Sequence, residues 1–313
     1  MKKSEILCIG IACADVLLKG VDFSSGFKDE SKPAESVGID VGGDAANEAI
    51  ILARLGHDVQ LMCGLGKDAV GDLIVNAVRS AGVRTDHAVR SDKSGTAINV
   101  IVIHPDGQRN FINSGVPKAA YMIPRIENTG GAEVVSLASF FLPPFTTADI
   151  CEKTAMAAKQ TGAIVCADVV VQPDSELGML SGALPYVDYF FPNRAEAEQL
   201  TGKTALPEIA DVFLSMGVKN VIIKTGKEGC YLKNAAAESY IPTYESVKPL
   251  DTTGAGDNFA AGFISGILQG KTPEQSARYA CGVATVSTQS FGATAGVKSR
   301  EQVREFIDNI KGE

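Results

Sequence analysis

Asp257 stands directly behind three residues with almost no side chain, Gly254, Ala255 and Gly256, in the stretch LDTTGAGDNFAAGF (Leu250–Phe263). The apolar positions that follow recur at helical spacing, so the small residues open a helix. Bare N–H groups at a helix N-terminus favour an anion, through their free donors and through the helix dipole. A carboxylate in the first turn would face the same spot. That pairing suits phosphoryl transfer: the amides stabilise charge on the moving group, and the carboxylate accepts the proton of an attacking hydroxyl. Loss of one such donor typically costs roughly 100–1,000-fold in rate. The same residues also make an ordinary capped helix start, where Asp and Gly are common. No G-x-x-x-x-G-K-[ST] loop occurs, and CIGIACAD after the first strand supplies only Gly10, too little for a dinucleotide fingerprint.

The elements that must position this loop can be read from period and punctuation. EILCIGI (Glu5–Ile11) is a continuous apolar run, as in a strand buried on both faces. Val16–Val21 and Glu35–Val41 read as short strands between turn residues. In GGDAANEAIILARLG, Ala46, Ala49, Ile50, Ala53 and Leu55 recur at helical spacing up to Gly56. DVQLMCGLG reads as a strand and DAVGDLIVNAVRSAG as a helix. TAINVIVIHPDGQRNFIN reads as a hairpin around a turn at Pro105–Gly107. Strands and helices then alternate: EVVSLAS, helix Thr147–Thr161, AIVCADV, VDYFFP, helix Arg194–Leu200 and NVIIKTG. GCYLKN and ESYIPTY form a meander, and three helices follow near Ala255–Gln269, Thr272–Thr288 and Arg300–Ile310. The alternation predicts an α/β fold, a doubly wound and mainly parallel sheet flanked by helices. The β-rich insertions near 16–41 and 96–113 fall outside it and predict a small sheet acting as a lid on a single domain over 1–313.

Composition narrows the functional classes. The 313 residues are 45% hydrophobic and 21% charged, the balance of a soluble globular protein. A net charge of −8 argues against a nucleic-acid partner held by its phosphates. The seven cysteines are odd in number and scattered, with no C-x-x-C, which predicts neither a disulfide framework nor a zinc site and points to the reducing cytoplasm. Asp15 interrupts the apolar N-terminal run before it reaches signal-peptide length, and no 18-residue apolar stretch exists, so no membrane association is expected.

DTTGAGDNF resembles the C-terminal signature of the ribokinase-like sugar kinases, the PfkB family. VGGDAANEAIILARLG (Val41–Gly56) is similar to the family's N-terminal signature, and GLGKDAVGD (Gly64–Asp72) to its G-x-D-x-x-G stretch. FPNRAEAEQLTG carries an N-x-x-E as Asn193 and Glu196, and VIIKTGKEGC resembles the late strand and glycine turn. These segments follow family order over nearly the whole chain. The resemblance implies ATP and Mg²⁺ as cofactors, with Asp257 as general base and Gly254, Ala255 and Gly256 as anion hole. It implies Glu196, with Asn193, near the phosphates and Mg²⁺, through water, since Mg²⁺ keeps much of its hydration. Lys224, standing where a hydroxyl residue is frequent, and Gly226 would lie along the nucleotide. Asp251 and Thr253 match positions that bind a monovalent cation such as K⁺, completed by carbonyls near Ser287 and Gly292. Cys281 stands where relatives carry Asn or His beside the adenine.

For the acceptor, the resemblance implies Asp15, whose carboxylate can accept from two neighbouring hydroxyls. Gly42 and Gly43 would admit close backbone approach, and Asn47 offers a donor and an acceptor. Arg109, after the hairpin turn, is a lid contact or a solvated arginine. Asp168, at a strand end, contacts substrate or caps a turn. Ribose-specific relatives have a glutamate where this chain has Ser139, Phe140 and Phe141, which argues against a strict ribokinase. Fructose-like ketoses, sugar acids, nucleosides and sugar phosphates stay open. A phosphorylated substrate would draw on Lys19, Lys28, Lys32 and Arg109; a nucleoside would need an apolar slot, for which Phe140, Phe141 and Phe145 are the candidates. The expected function is ATP-dependent phosphorylation of a hydroxyl on a ribose- or fructose-type sugar, against a nucleoside kinase or a catalytically inactive sugar-binding regulator. Exposed lid strands would offer an edge to a second copy, making a homodimer.

Overall fold

The computed structural model describes residues 4–22, 26, 31–104, 109–113, 115–126, 131–244 and 247–311. β1 (Ser4–Ile9) is apolar on both faces because both are covered. Its Ile6 and Cys8 enter one core, and Leu7 and Ile9 the other. β1 pairs in parallel with β4 (Val59–Met62) on one side and β9 (Ala132–Phe140) on the other. From β9 the parallel sheet continues through β10 (Ile164–Val169), β11 (Tyr189–Phe190) and β12 (Asn220–Lys224). It ends in the antiparallel meander of β13 (Cys230–Asn234) and β14 (Glu238–Ile241).

Helices cover both faces of this eight-stranded sheet. On one lie α1 (Asp44–Arg54), α2 (Ala69–Ser80), α6 (Ala255–Leu268), α7 (Pro273–Ser287) and α8 (Arg300–Lys311). On the other lie α3 (Ala148–Gln160), α4 (Arg194–Thr201) and α5 (Leu206–Ser215). The sequence expectation of a doubly wound fold is met. It misses α5, whose buried Leu206, Ile209, Ala210 and Phe213 have helical spacing and whose Pro207 stands in the first turn. Proline is tolerated in a first helical turn, where its N–H has no acceptor to lose. The expected strand DVQLMCGLG divides at Cys63 into β4 and β5 (Gly64–Gly66), and the sequence reading misses β6 (Val89–Ser91), which pairs with β5.

The two β-rich insertions meet in a separate four-stranded sheet, in the order β3 (Ser36–Gly42), β2 (Cys13–Lys19), β7 (Ile98–Ile103), β8 (Arg109–Asn113). β7 and β8 pair antiparallel as a hairpin should; the expected turn residues Pro105–Gly107 lie outside the described residues. All seven cysteines are buried and free, packing as small apolar groups. Among the described residues, no helix is long and apolar enough to cross a membrane.

Candidate active site

The Gly-Ala-Gly turn does open a helix. Gly254 is the N-cap of α6 in the left-handed region (φ 69°), and a Cβ there would lie 2.6 Å from the Ala293 Cβ, so both conformation and space demand glycine. The Ala255 N–H is used within the turn, donating to Thr252 O at 3.2 Å. The N–H groups of Gly256 and Asp257 lie in the first turn, where no earlier helical carbonyl exists to accept them. Asp257 meets α1 at this point: the Asn47 Nδ2 donates to its Oδ2 at 2.7 Å. Burial raises the Asp257 pKa to about 6; the Asn47 bond and Lys224 work against that rise, and Asp168 and Asp15 add to it. A carboxylate held there is largely ionised at neutral pH yet basic enough to take a hydroxyl proton.

On one side of Asp257 lies the small sheet. Asp15 of β2 accepts from Asn99 Nδ2 of β7 at 3.1 Å, and burial raises its pKa despite that bond. Its carboxylate presses so closely on Gly42 that a Cβ at that glycine would sit 2.0 Å from Oδ2. Gly43 (φ 90°) turns the chain into α1, its ideal Cβ 2.6 Å from Ile11 O. Asn47 is buried, and its Oδ1 has no partner among the described residues. Asp15, Gly42, Gly43, Asn47 and Asp257 therefore form one continuous row. The backbone of Arg109 stands at the far end of the small sheet. Its backbone pairs with Ile103, four residues along β7 from Asn99, or about 13 Å at the usual strand rise; its side chain lies outside the described residues.

On the other side opens a cleft of about 850 Å³, lined by Asn193, Lys224, Gly226, Ala255 and Gly256 and by Tyr244, Phe259 and Thr285. Asn193 caps α4 in a reciprocal box: its Oδ1 accepts from Glu196 N at 2.9 Å, and Glu196 Oε2 accepts from Asn193 N at 2.8 Å. Burial lifts the Glu196 pKa to about 7, with Lys224 opposing. Lys224 closes β12 and pairs with Asp168 at the end of β10, Nζ to Oδ2 2.5 Å. Burial would lower the lysine pKa, but Asp168, Glu196 and Asp257 outweigh it and hold the ammonium above its ordinary range.

Several expectations change. Cys281 does not line the cleft; it is buried beside Cys230, and Thr285, one turn on, faces the space instead. Phe140 and Phe145 stack edge-on inside the sheet's core and offer no slot to a nucleobase. Asp251 ties its loop together, accepting from Thr253 N and Oγ1 at 2.9 and 2.7 Å and from Gly292 N at 2.9 Å. Lys19 is spoken for by Glu35 at 2.6 Å and lies over the Phe291 ring; Lys28 lies outside the described residues.

Two acids went unforeseen. Asp44, in the first turn of α1, accepts from the Ser139 hydroxyl, and Glu48 one turn later accepts from Ser136 Oγ at 2.5 Å. Burial raises both pKa values well above the carboxylate range, and the charges of Asp257 and Asp168 add to it. The available signal was the i, i+4 pair of acids on a helix whose other residues are mostly apolar.

The family model described as pfkB family carbohydrate kinase matches residues 3–300. A 2-dehydro-3-deoxygluconokinase of Bacillus subtilis is 29% identical, covering 85% of this chain and 86% of its own. A ribokinase of Arabidopsis thaliana is 30% identical over 85% of this chain and 72% of its own. The structure of Arabidopsis thaliana ribokinase complexed with ribose and ATP superposes with a TM-score of 0.83 at 26% identity, covering 98% of this chain and 99% of that one. Ribokinase from Thermotoga maritima gives a TM-score of 0.81 at 26% identity, over 98% and 100% of the two chains. The fold, the order of motifs along it and these matches agree: the chain belongs to the pfkB family and is a carbohydrate kinase.

Proposed function

We propose that the protein transfers the terminal phosphoryl group of ATP to a hydroxyl of a ribose- or fructose-type sugar, with Asp257 as general base. The observation that carries this reading is the place of Asp257: it is bonded to Asn47 of the Asp15–Gly42–Asn47 row, and it follows directly on Ala255 and Gly256, which line the cleft with Lys224. A sugar in the row would give hydroxyl protons to Asp15 and take a polar contact from the unpartnered Asn47 Oδ1. The triphosphate would run from the rings of Tyr244 and Phe259 to the amides of Gly256 and Asp257. The acceptor oxygen attacks in line, and its proton goes to Asp257. Mg²⁺, when bound, would offset charge on the phosphates. Among the described residues no cluster of three or more acids or histidines could hold a metal alone, so the fit is to an ion carried mainly by the nucleotide, with Glu196 and Asn193 reaching it through water. K⁺ beside Asp251 and Thr253 belongs to the same proposal and is checked by turnover with and without K⁺.

Asp15, with Asp40 opposite it on β3 and adding to the rise of its pKa, favours a neutral polyol over a sugar acid. The burial of Phe140 and Phe145 weighs against a nucleoside. ADP release measured against D-ribose, D-fructose, 2-dehydro-3-deoxygluconate and adenosine tests the reading. Turnover with a neutral sugar is expected; turnover with adenosine alone, or tight sugar binding without turnover, overturns it.

The small sheet acts in this reading as the lid that keeps water from the phosphoryl group. Its outer strands expose Val37 (65%), Ile39 (57%) and Ile112 (58%), and Ile39, Val16, Val100 and Ile112 are cross-strand neighbours on one face. A second copy covering that face makes a homodimer. A monomeric mass in solution at micromolar concentration would count against it.

A further inference from the structure

Among the described residues that line this cleft, Lys224 is the lysine whose side chain is largely buried. It touches two things. On one side its Nζ meets Asp168 Oδ2 at 2.5 Å; the two side chains are 13% and 6% exposed. On the other it lies against the first turn of α6, 3.3 Å from where a Cβ on Gly256 would stand. The ammonium therefore sits at the helix terminus whose free amides face an anion. Lys227 and Lys248, which also line this cleft, are exposed. Asp168 is fixed in turn, since its Oδ1 accepts from Val169 N at 2.8 Å. A lysine on four rotatable bonds samples many positions unless a charge-assisted bond holds it. The β10 strand end supplies that bond across β11.

We propose that Lys224 is the side-chain cation on the phosphoryl group in flight, and that Asp168 is the positioning residue that holds it against the Gly256 turn. The inference rests on the kinase reading above and adds two roles to it. As the phosphoryl group leaves ADP, negative charge spreads over its three equatorial oxygens. An ammonium already fixed at that point stabilises the transition state without reorganising. Asp168 does not meet the substrate; it acts through the lysine, and its charge keeps the ammonium protonated in a buried setting.

Four preparations test this: the wild type, Lys224→Met, Asp168→Asn and the double variant. Each is assayed with ATP and the sugar that the wild type turns over. Lys224→Met should lower kcat by about 100-fold, the scale of losing one preorganised electrostatic contact. Asp168→Asn should lower kcat by about 10-fold while the KM for ATP stays within about 2-fold, since the lysine remains but is no longer aimed. The double variant should match Lys224→Met within about 2-fold, because a residue that works through another adds nothing once that other is gone. It also leaves neither buried charge orphaned, so it reports even if Asp168→Asn folds poorly. Calorimetric binding gives a readout that needs no turnover. Lys224→Met should weaken a β,γ-imido ATP analogue about 10-fold and ADP by less than about 2-fold, since one lost contact of this kind is worth about a factor of ten. Equal weakening of both nucleotides would move the lysine off the terminal phosphate and overturn the first role. Multiplying losses in the double variant would overturn the second. If the wild type phosphorylates no sugar yet the selective loss of triphosphate affinity is seen, the phosphate contact stands and the acceptor assignment alone fails.

Discussion

Asn47→Ala separates the two jobs that Asn47 does. Its Nδ2 donates to Asp257 Oδ2 at 2.7 Å, while its Oδ1 has no partner among the described residues and takes the sugar contact in the proposed function. A hydrogen bond to a charged group contributes about 1.5–3 kcal/mol. It favours the ionised carboxylate, so its loss raises the Asp257 pKa. At about 1.4 kcal/mol per pKa unit, the rise is about 1–2 units. The starting value is about 6. A general base works only when ionised, so activity is present above that value and lost below it. The wild-type acidic limb of kcat/KM should fall near pH 6, and the variant's near pH 7–8, by the same conversion. The Oδ1 contact predicts a different effect, a higher sugar KM at every pH. Steady-state rates across roughly pH 5 to 9 distinguish a sideways shift of the limb from a drop of the whole curve. A limb that stays near pH 6 while the curve drops would refute the view that Asn47 tunes the base.

Asp257→Asn should lower kcat by roughly 100-fold or more, as loss of a general base does. It should also stabilise the fold at alkaline pH. The Asp257 pKa is raised in the folded state, so the stability it confers is full below its ordinary value of 3.8 and is lost as pH rises through about 6. Relief of that penalty is worth up to about 3 kcal/mol above pH 7 and nothing below pH 4; denaturant midpoints equal at pH 8 would contradict it. Gly42→Ala places a Cβ 2.0 Å from Asp15 Oδ2 and should raise the sugar KM about 10-fold, the loss of one good contact. An unchanged KM would remove Asp15 from the sugar site. Gly254→Ala adds a left-handed alanine, at about 1–2 kcal/mol, to a 2.6 Å clash with Ala293. Its thermal midpoint should fall by several degrees, and a midpoint equal to wild type would show that the turn relaxes freely.

Most of the fold was legible because its cues are local. β1 announces burial on both faces by a run with no polar break, and α6 announces itself by small residues followed by helical period. Leu206–Ser215 was missed although its cues are local as well. Its Ile209, Ala210 and Phe213 carry helical spacing, and the first-turn Pro207 breaks nothing. The site was legible where a residue's work is done by its own backbone. Gly254 must be glycine because of its φ, and Asn193 with Glu196 forms a box three residues wide.

What the sequence withheld is the meeting of distant carboxyls. Asp44 and Glu48 from α1, Asp168 from β10, Glu196 from α4 and Asp257 from α6 are spread over more than two hundred positions, yet Lys224 opposes the charge penalty of each. No window of sequence contains that pattern. Read singly, each acid is a helix cap, a strand end or a polar intrusion in an apolar face. Together they make one lysine indispensable: remove it, and every neighbouring carboxylate loses the charge that opposes its protonation. Asp257 would then be less ionised at neutral pH, although Lys224 never touches the acceptor hydroxyl in the proposed reaction. The acidic limb of Lys224→Met should therefore shift upward, in the same direction as that of Asn47→Ala but through space rather than through a bond. High salt should leave both shifts largely intact, since buried charges are screened far less than exposed ones. A limb that moves for Asn47→Ala and stays fixed for Lys224→Met would mean that Asp257 is governed by its hydrogen bond alone.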